Sequence, residues 1–522
     1  MGVPSYFKWI YENHRNAILS NKCIYETIDF LYLDFNCLIH PACKMSPNMT
    51  EREMINSVIN YYEKIIDFIK PTKLVYIAID GVVPLAKMDQ QRKRRYRSAS
   101  EKEFLNNLKE KYGKQKEKSD FNMISPGTTF MQKLEKKLSC MKKKNYEVIF
   151  SPSSIPGEGE HKIMEHIRSC ELLGNYAVYG LDADLIFLCL LNCKENMTLF
   201  RESTFFGSSE DEYFFINIPA MRLLLHNSLV NEEEKTNSHV SPFVQKTIVD
   251  YAYICFLHGN DFLPHIPSML IREGGLDILI ECYKKIKQEK MFSNIVKNKK
   301  VNSIMLLSLL QELKEKEQSQ LIKITDQRSK RVHRYSKRKK SETYEEELND
   351  HNYIEYYVED KIKFGYPGWK ERYSNNVSNS SVIKACQDYL NGMVWSISYY
   401  THKCIDYGWT YKSEYVPCIE DMYENLKLGL IDPNALFSAE KILTDFPSVN
   451  FQLMYIMPPQ SIKLLPVPLR SLVRNKKSPV KHYYVKEFEI DKVNKKLLWE
   501  CEPLLPVIDI DLLNKVIINN IN

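Results

Sequence analysis

Seven carboxylates stand where they could do chemistry together. Apolar, strand-like runs lead into Asp34 (FLYLDFN, 30–36), Asp80 (KLVYIAID, 73–80) and the pair Asp182 and Asp184 (AVYGLDAD, 177–184). Glu158 and Glu160 lie in IPGEGEHKIM, and Asp261 lies in LHGNDFLPHIP. Brought together, like charges repel and some would take up protons; divalent cations remove that conflict. Oxygen ligands with no accompanying His/Cys set favour Mg²⁺ or Mn²⁺ over zinc. Two such ions about 4 Å apart can activate a water and stabilise the leaving oxygen of a phosphodiester. Any one of these acids alone reads more readily as a helix cap or a surface residue. All seven in strand-end or glycine-rich contexts do not.

The spacing within each pair matters. Asp182-x-Asp184 can place both side chains on one side of an extended segment. On a regular helix, Glu158 and Glu160 would diverge by about 200°. Pro156, Gly157 and Gly159 favour a turn into a helix, and both acids face one site only if that turn holds them.

A basic segment follows Asp80. KMDQQRKRRYR (87–97) carries six basic residues against one acid. Lys87, Gln91, Arg94 and Arg95 share one helical face. Arg offers bidentate contacts to phosphate oxygens and Lys a point charge, so a phosphate-bearing substrate suits this face. By itself the segment reads equally as a solvated helix face or a nuclear import signal.

These residues need elements to position them. Residues 1–227 read as an α/β domain, because strand-like runs alternate with helical stretches. In 51–70, for example, Ile55, Val58, Ile59, Tyr62, Ile65, Ile66 and Ile69 recur at helical spacing. The expected fold class is a mostly parallel central sheet flanked by helices, with sites at the carboxyl ends of its strands. Residues 228–242 read as a polar linker. Residues 243–314 read as a helical segment completing the site. Between 315 and 350 the composition breaks: eight Lys or Arg lie between Arg328 and Lys340, and five acids between Glu342 and Asp350. The expectation there is a charged, solvated, flexible insert. Residues 351–522 form a second region, mainly helical and rich in Tyr, Trp and Pro.

Composition narrows the class. With 522 residues, 44% hydrophobic and 26% charged, the chain is neither disordered throughout nor membrane-embedded. Its strongest apolar run, Leu185 to Leu191, is too short to span a bilayer. The start, MGVPSYFKWI, lacks the layout of a secretory signal, and Tyr6 stands where an acylation motif wants Ser or Thr. Thirteen scattered cysteines without a C-x-x-C pair read as reduced thiols of an intracellular protein.

Together these pieces resemble the Xrn family of 5′→3′ exoribonucleases. The resemblance rests on MGVPSYFKWI, LDFNCLIHP, IAIDGVVPLAKMDQQRKRRYRSA, SPGTTFM, PSSIPGEGEHKIM, VYGLDADLIFLCL and LHGNDFLPHIP, in family order across residues 1–270. It continues more weakly through YLNGMVWSISYY, FQLMYIMPPQS and KEFEIDKVNKKLLWE. The resemblance implies a nuclease core of the flap-endonuclease/PIN type and a second region that closes the active site. It implies that Asp34, Asp80, Glu158, Glu160, Asp182, Asp184 and Asp261 hold two Mg²⁺ ions, with Mn²⁺ as a substitute. It implies that Lys87, Gln91, Arg94 and Arg95 bind a 5′-phosphate, Lys87 reaching the scissile phosphate as well. His40 is expected to stack on the 5′ base opposite Trp409, with Trp395 as the fallback. Alone, His40 reads as a satisfied core histidine and Trp409 as a packing residue. The implied substrate is single-stranded RNA with a 5′-monophosphate, degraded stepwise to nucleoside 5′-monophosphates by a cytoplasmic monomer. A nuclear location is the alternative, and protein partners are not readable. Competing readings are a flap-type DNA nuclease and a non-catalytic RNA-binding scaffold. Three departures from the family pattern stand out: Asp89 where Asn is usual, expected to weaken the grip on RNA, Leu85 where Arg is frequent, and His265 where Asn is usual after GNDFLP.

Overall fold

The computed structural model describes residues 3–521 apart from 4, 46–47, 142–144, 193, 204–211, 291–292, 337–341, 355–360, 378–380, 414–415, 439–442, 444, 494 and 496. Its centre is a seven-stranded sheet of β1 (Ile18–Ser20), β2 (Phe30–Asp34), β3 (Leu74–Ala78), β4 (Glu147–Ser151), β5 (Tyr176–Tyr179), β6 (Met197–Glu202) and β7 (Tyr213–Asn217), in the order β1-β7-β6-β5-β2-β3-β4. β4, β3, β2, β5 and β6 run parallel, whereas β7 and β1 are antiparallel additions at one edge. The expected mostly parallel sheet is therefore present.

Period-two alternation builds both faces. Phe30 and Tyr32, Leu74 and Tyr76, and Tyr176 and Val178 enter one core; Leu31 and Leu33, Val75 and Ile77, and Ala177 and Tyr179 enter the other. Burial on both sides is why these strands read as unbroken apolar runs. Helix α1 (Tyr6–Asn13) precedes the sheet. On one face pack α2 (Phe35–Ala42), α3 (Glu51–Ile69) and α5 (Thr129–Ser139). A capping box between Thr50 and Glu53 starts α3, and Met54, Val58, Tyr62, Ile65 and Ile66 form its buried stripe. The opposite face takes α6 (Gly159–Ser169), α7 (Ala183–Leu191), α8 (Ile218–Leu229), α9 (Pro242–Cys255) and α10 (Gly275–Glu289). The helix Val382–Thr401 of the second region joins that same core through Leu390, Met393, Val394 and Trp395. A third core surrounds the start of α4 (Leu85–Lys111): Val83, Leu85 and Met88 pack on Phe451, Leu453, Tyr483 and Leu513. Leu85 is thus a contact between the two regions.

The expected linker over 228–242 is pinned at Glu234, which is buried and pairs with Lys287 Nζ at 3.0 Å. The expected flexible insert over 315–350 is corrected more strongly. Residues 303–336 form one helix, α11 (Ser303–Ser336), with Leu321 and Ile324 buried. Its Glu317 is buried too and accepts from Ile419 N (2.9 Å) and Glu420 N (3.0 Å), at the start of the helix Ile419–Lys427. A further helix, α12 (Tyr344–His351), lies on the end of α4. There Glu347 pairs with Lys111 and accepts from Tyr112 Oη (2.8 Å), and His351 stacks on Phe104. High charge makes this stretch read as solvated, but Glu317, Glu345 and Glu347 are paired within the fold; the side chains of 331–341, most of the basic run, lie outside the described residues.

Candidate active site

Sheet order explains how distant acids meet. Reading β5-β2-β3-β4 across the sheet, the carboxyl ends lead to Asp182, Asp34, Asp80 and Glu158. Asp34, Glu158 and Asp182 each occupy the residue before a helix, and Glu160 and Asp184 lie in the first turns of α6 and α7. Three helix N-termini thus point at one place, and their dipoles favour negative charge there. The turn into α6 holds Glu158 outside the helix while Glu160 lies within it, so the two acids share a site despite their spacing.

Local contacts fix the carboxylates. Asp80 Oδ1 accepts from Gly159 N (2.7 Å) and Oδ2 from Asn36 Nδ2 (2.7 Å). Gly159 relieves crowding here: a Cβ would stand 3.0 Å from Asp34 Oδ1 and from the Ala78 carbonyl, and 3.4 Å from Asp80 Oδ1, and would press on both carboxylates. Asp34 Oδ2 accepts from the Cys37 thiol at 2.9 Å. Lys162 is buried in α6; its Nζ donates to Ile79 O (2.7 Å) and Pro152 O (2.9 Å), tying together the ends of β3 and β4. Asp261 sits in a turn ordered by Asn260, whose Oδ1 accepts from Phe262 N and Leu263 N at 2.9 and 2.8 Å.

Lys87 joins the groups. Its buried Nζ lies 2.5 Å from Glu158 Oε2 and 2.7 Å from Asp261 Oδ2. Burial would raise the Asp261 carboxyl, but the positive charge around it, Lys87 first and Arg94 among the rest, together holds Asp261 well below the usual carboxylate range. At Asp34, Asp184 and Glu160 burial and mutual repulsion win. Burial, then Asp80, pushes Asp34 up to about 8. Burial, then Asp261, pushes Asp184 up to about 7. Burial and Glu158 lift Glu160 well above its ordinary value.

Among the described residues, Glu160 Oε2 and Asp184 Oδ1 are buried with no hydrogen-bond donor, and a buried acceptor left unmatched costs about 1–3 kcal/mol. Glu158, Glu160 and His161 bring donor atoms within 4.8 Å of one another. An oxygen-rich, anionic and under-satisfied centre fits hard divalent cations. His161 is not among the expected residues, although it directly follows Glu160; its ring stacks on Tyr399 at 3.8 Å.

The basic segment is helical, as α4, but its charges divide. On the face of Lys87, Arg94 is half-buried, and Gln91 is buried with Oε1 unmatched. Arg95 is buried, its Nη1 donating to Ser125 Oγ at 2.5 Å in the SPGTTFM loop. Half-buried His40 lies in their field. Burial, then Arg94, Lys44 and Arg95, lowers its imidazole to about 3, so it is neutral at physiological pH. The opposite face grips the C-terminal segment. Arg92 donates to Pro506 O (2.8 Å) and Tyr483 O (3.0 Å), Lys93 pairs with Glu502 (2.9 Å), and Arg97 donates to Cys501 O (2.8 Å). Asp89 accepts from Tyr455 Oη at 3.4 Å, a contact with the second region.

Trp409 is half-buried and stacks on Trp395 with centroids 5.1 Å apart. Trp395 is fully buried and its Nε1 donates to Asp406 O (2.7 Å), so it has no face to offer a base. Among the described residues, His40 and Trp409 make no ring contact with each other.

Fold and site together define an α/β protein with a carboxylate centre at the strand ends, beside a basic helix. The chain belongs to the XRN 5′-3′ exonuclease family: the family's N-terminal model matches residues 1–203, and its Xrn1 helical domain matches residues 243–359 and 311–519. It is 29% identical to 5′-3′ exoribonuclease 1 of Schizosaccharomyces pombe over 98% of this chain and 48% of that protein. It is 28% identical to the 5′-3′ exoribonuclease 2 homolog of Drosophila melanogaster, over 98% of this chain and 70% of that protein. For 5′-3′ exoribonuclease 2 of Gallus gallus the figures are 28%, 98% and 69%. The chain thus spans about half the length of the yeast relative. Among solved structures, the catalytic core of Rad2 in complex with DNA covers 81% of this chain at 12% identity, with a TM-score of 0.33. No described helix is long and apolar enough to cross a membrane.

Proposed function

We propose that this chain is a metal-dependent 5′→3′ exoribonuclease that hydrolyses 5′-monophosphorylated single-stranded RNA stepwise to nucleoside 5′-monophosphates. The observation that carries the reading is the gathering of carboxylates at four neighbouring strand ends beside Lys87, the first basic residue of α4, which pairs with Glu158 and Asp261. Family membership and the names of the relatives support it.

Asp34, Asp80, Glu158, Glu160, Asp182, Asp184 and Asp261 would hold two Mg²⁺ ions, with Mn²⁺ as a substitute. Bound there, the ions supply water activation and charge stabilisation at the leaving oxygen. Arg94, Gln91 and Arg95 bind the terminal phosphate, Arg94 being the more accessible arginine. Neutral His40 offers a flat ring to the 5′ base, with Trp409 as the opposing face. Stacking of this kind tolerates any base and contributes about 1–3 kcal/mol. Lys87, between Glu158 and Asp261, steadies the scissile phosphate. The protein acts as a monomer in cytoplasmic RNA decay.

The test is incubation with RNA carrying a 5′-monophosphate, 5′-triphosphate or 5′-hydroxyl, with and without Mg²⁺, beside a flapped DNA. Metal-dependent loss of the monophosphorylated RNA alone is expected. Equal loss of all three RNAs removes the terminal-phosphate pocket, and preferential cutting of the flap replaces the exoribonuclease reading.

A further inference from the structure

Glu158 is held from two sides. Lys87 takes Oε2, and Oε1 accepts from Tyr399 Oη at 2.8 Å, both partners buried. Tyr399 comes from the helix Val382–Thr401, 241 residues further along the chain. Its ring lies on His161, beside Glu160, at 3.8 Å and 25°. It also stacks on Trp395 (5.0 Å, 30°) and meets the edge of Phe262, the neighbour of Asp261, at 5.8 Å.

We propose that Tyr399 is a positioning residue through which the second region sets the plane of the Glu158 carboxylate and so completes the metal centre. The proposal rests on the metal-binding reading above. Glu158 stands before α6 without capping it, so nothing on its own helix fixes its side chain. Lys87 alone would leave one oxygen free to swing about the other. The phenol removes that freedom, and its own orientation is fixed by the rings on either side. Groups that orient a metal ligand in this way are commonly worth about 10–100-fold in metal affinity. Six of the seven carboxylates lie within residues 1–227, yet the donor that aligns Glu158 comes from the helix Val382–Thr401.

The test compares the full chain with Tyr399→Phe, which deletes the hydroxyl and keeps the ring. Mn²⁺ binding is measured by calorimetry in the absence of RNA, and kcat and KM on 5′-monophosphorylated RNA are measured alongside. Mn²⁺ affinity is expected to fall about 10-fold, with kcat reduced and KM for RNA unchanged. An unchanged Mn²⁺ affinity overturns the proposal, whether or not the melting temperature moves. A wild-type chain that binds no Mn²⁺ overturns the metal reading along with it, whereas a binding wild type with an equally binding variant overturns only the role of Tyr399. If Tyr399→Phe should misfold, Tyr399→His, which retains a ring N–H donor, is expected to bind Mn²⁺ more tightly than Tyr399→Leu; equal binding by the two refutes the hydroxyl's role.

Discussion

Asn36 and Asp80 exchange two hydrogen bonds. Asn36 Nδ2 donates to Asp80 Oδ2 at 2.7 Å, and Asp80 N donates to Asn36 Oδ1 at 3.2 Å. The amide therefore binds backbone and side chain of the same acid and ties the start of α2 to the end of β3. Asn36→Ala is expected to raise the Mg²⁺ concentration for half-maximal activity about 10-fold or more, with RNA affinity little changed. A metal titration of both proteins decides it; coincident curves would show that Asp80 needs no such support.

Stability and activity should oppose one another at Asp184. Its folded-state pKa of about 7 lies above the ordinary carboxylate value. The metal-free fold is therefore favoured at low pH, and that stability is lost as pH rises from the unfolded-state value through 7. Asp184→Asn removes the buried charge. In EDTA at pH 8 the variant is expected to be more stable than wild type by at least about 1.4 kcal/mol, a tenfold change in the folding equilibrium, while mononucleotide release collapses. Urea denaturation measures the first effect and an RNA assay the second. A less stable variant would mean that Asp184 is already neutralised by the protein.

Arg94 and Arg95 should separate. Arg95 is tied to Ser125, so Arg95→Ala disturbs the 122–125 loop and costs about 1–3 kcal/mol of stability in addition to any binding effect. Arg94→Ala is the cleaner probe. Preference for 5′-monophosphate over 5′-hydroxyl RNA should fall by about 10-fold or more, with Mn²⁺ binding and melting temperature unaltered. Retained preference in the Arg94 variant would move the phosphate pocket elsewhere.

Glu317, far along the chain in α11, predicts a pH effect unrelated to chemistry. Burial, opposed by the Glu420 and Ile419 amides, raises its carboxyl to about 7. A raised carboxyl favours the fold below its unfolded-state pKa, and this contribution is lost as pH climbs through 7. Glu317→Gln has no charge to bury; it keeps an acceptor for only one of the two amides, which bond to different oxygens, and that loss of about 1–3 kcal/mol is independent of pH. The stability difference between variant and wild type should therefore widen in the variant's favour from pH 5 to pH 8, with a slope approaching about 1.4 kcal/mol per pH unit below pH 7. A flat difference would rule out the raised carboxyl.

The legible parts of this molecule are those with a local signature. Strands buried on both faces announce themselves as apolar runs, and their terminal acids mark the site, because a parallel sheet gathers its strand ends. Gly157 and Gly159 foretell a turn that lets Glu158 and Glu160 face together. By contrast, α11 reads as an insert because its inward stripe changes chemistry: after Leu306, Leu309, Leu310 and Leu313 the buried positions mix Glu317, Gln320 and Arg328 with Leu321 and Ile324. Helical spacing continues, but hydrophobicity reports only part of it. The split of α4 is likewise hidden. Arg92, Lys93 and Arg97 look like any other basic residues, and only the distant backbone of Tyr483, Cys501 and Pro506 reveals their use. Tyr399 has no local signal, being one of 33 tyrosines in a weakly matching stretch.

The double use of α4 constrains how this chain can change. Arg92 and Lys93 fasten the tail while Arg94 and Arg95, the next residues, are the proposed phosphate ligands, so a small rotation of the helix about its own axis moves both sets at once. Substitutions in the hairpin Glu489–Asp491 and Glu502–Leu504, which lies against α4, would reach the proposed nucleotide cradle without any residue of the cradle being altered. Tail and cradle must therefore drift together, and exchanging either half for that of a distant relative would misalign a helix that neither half owns.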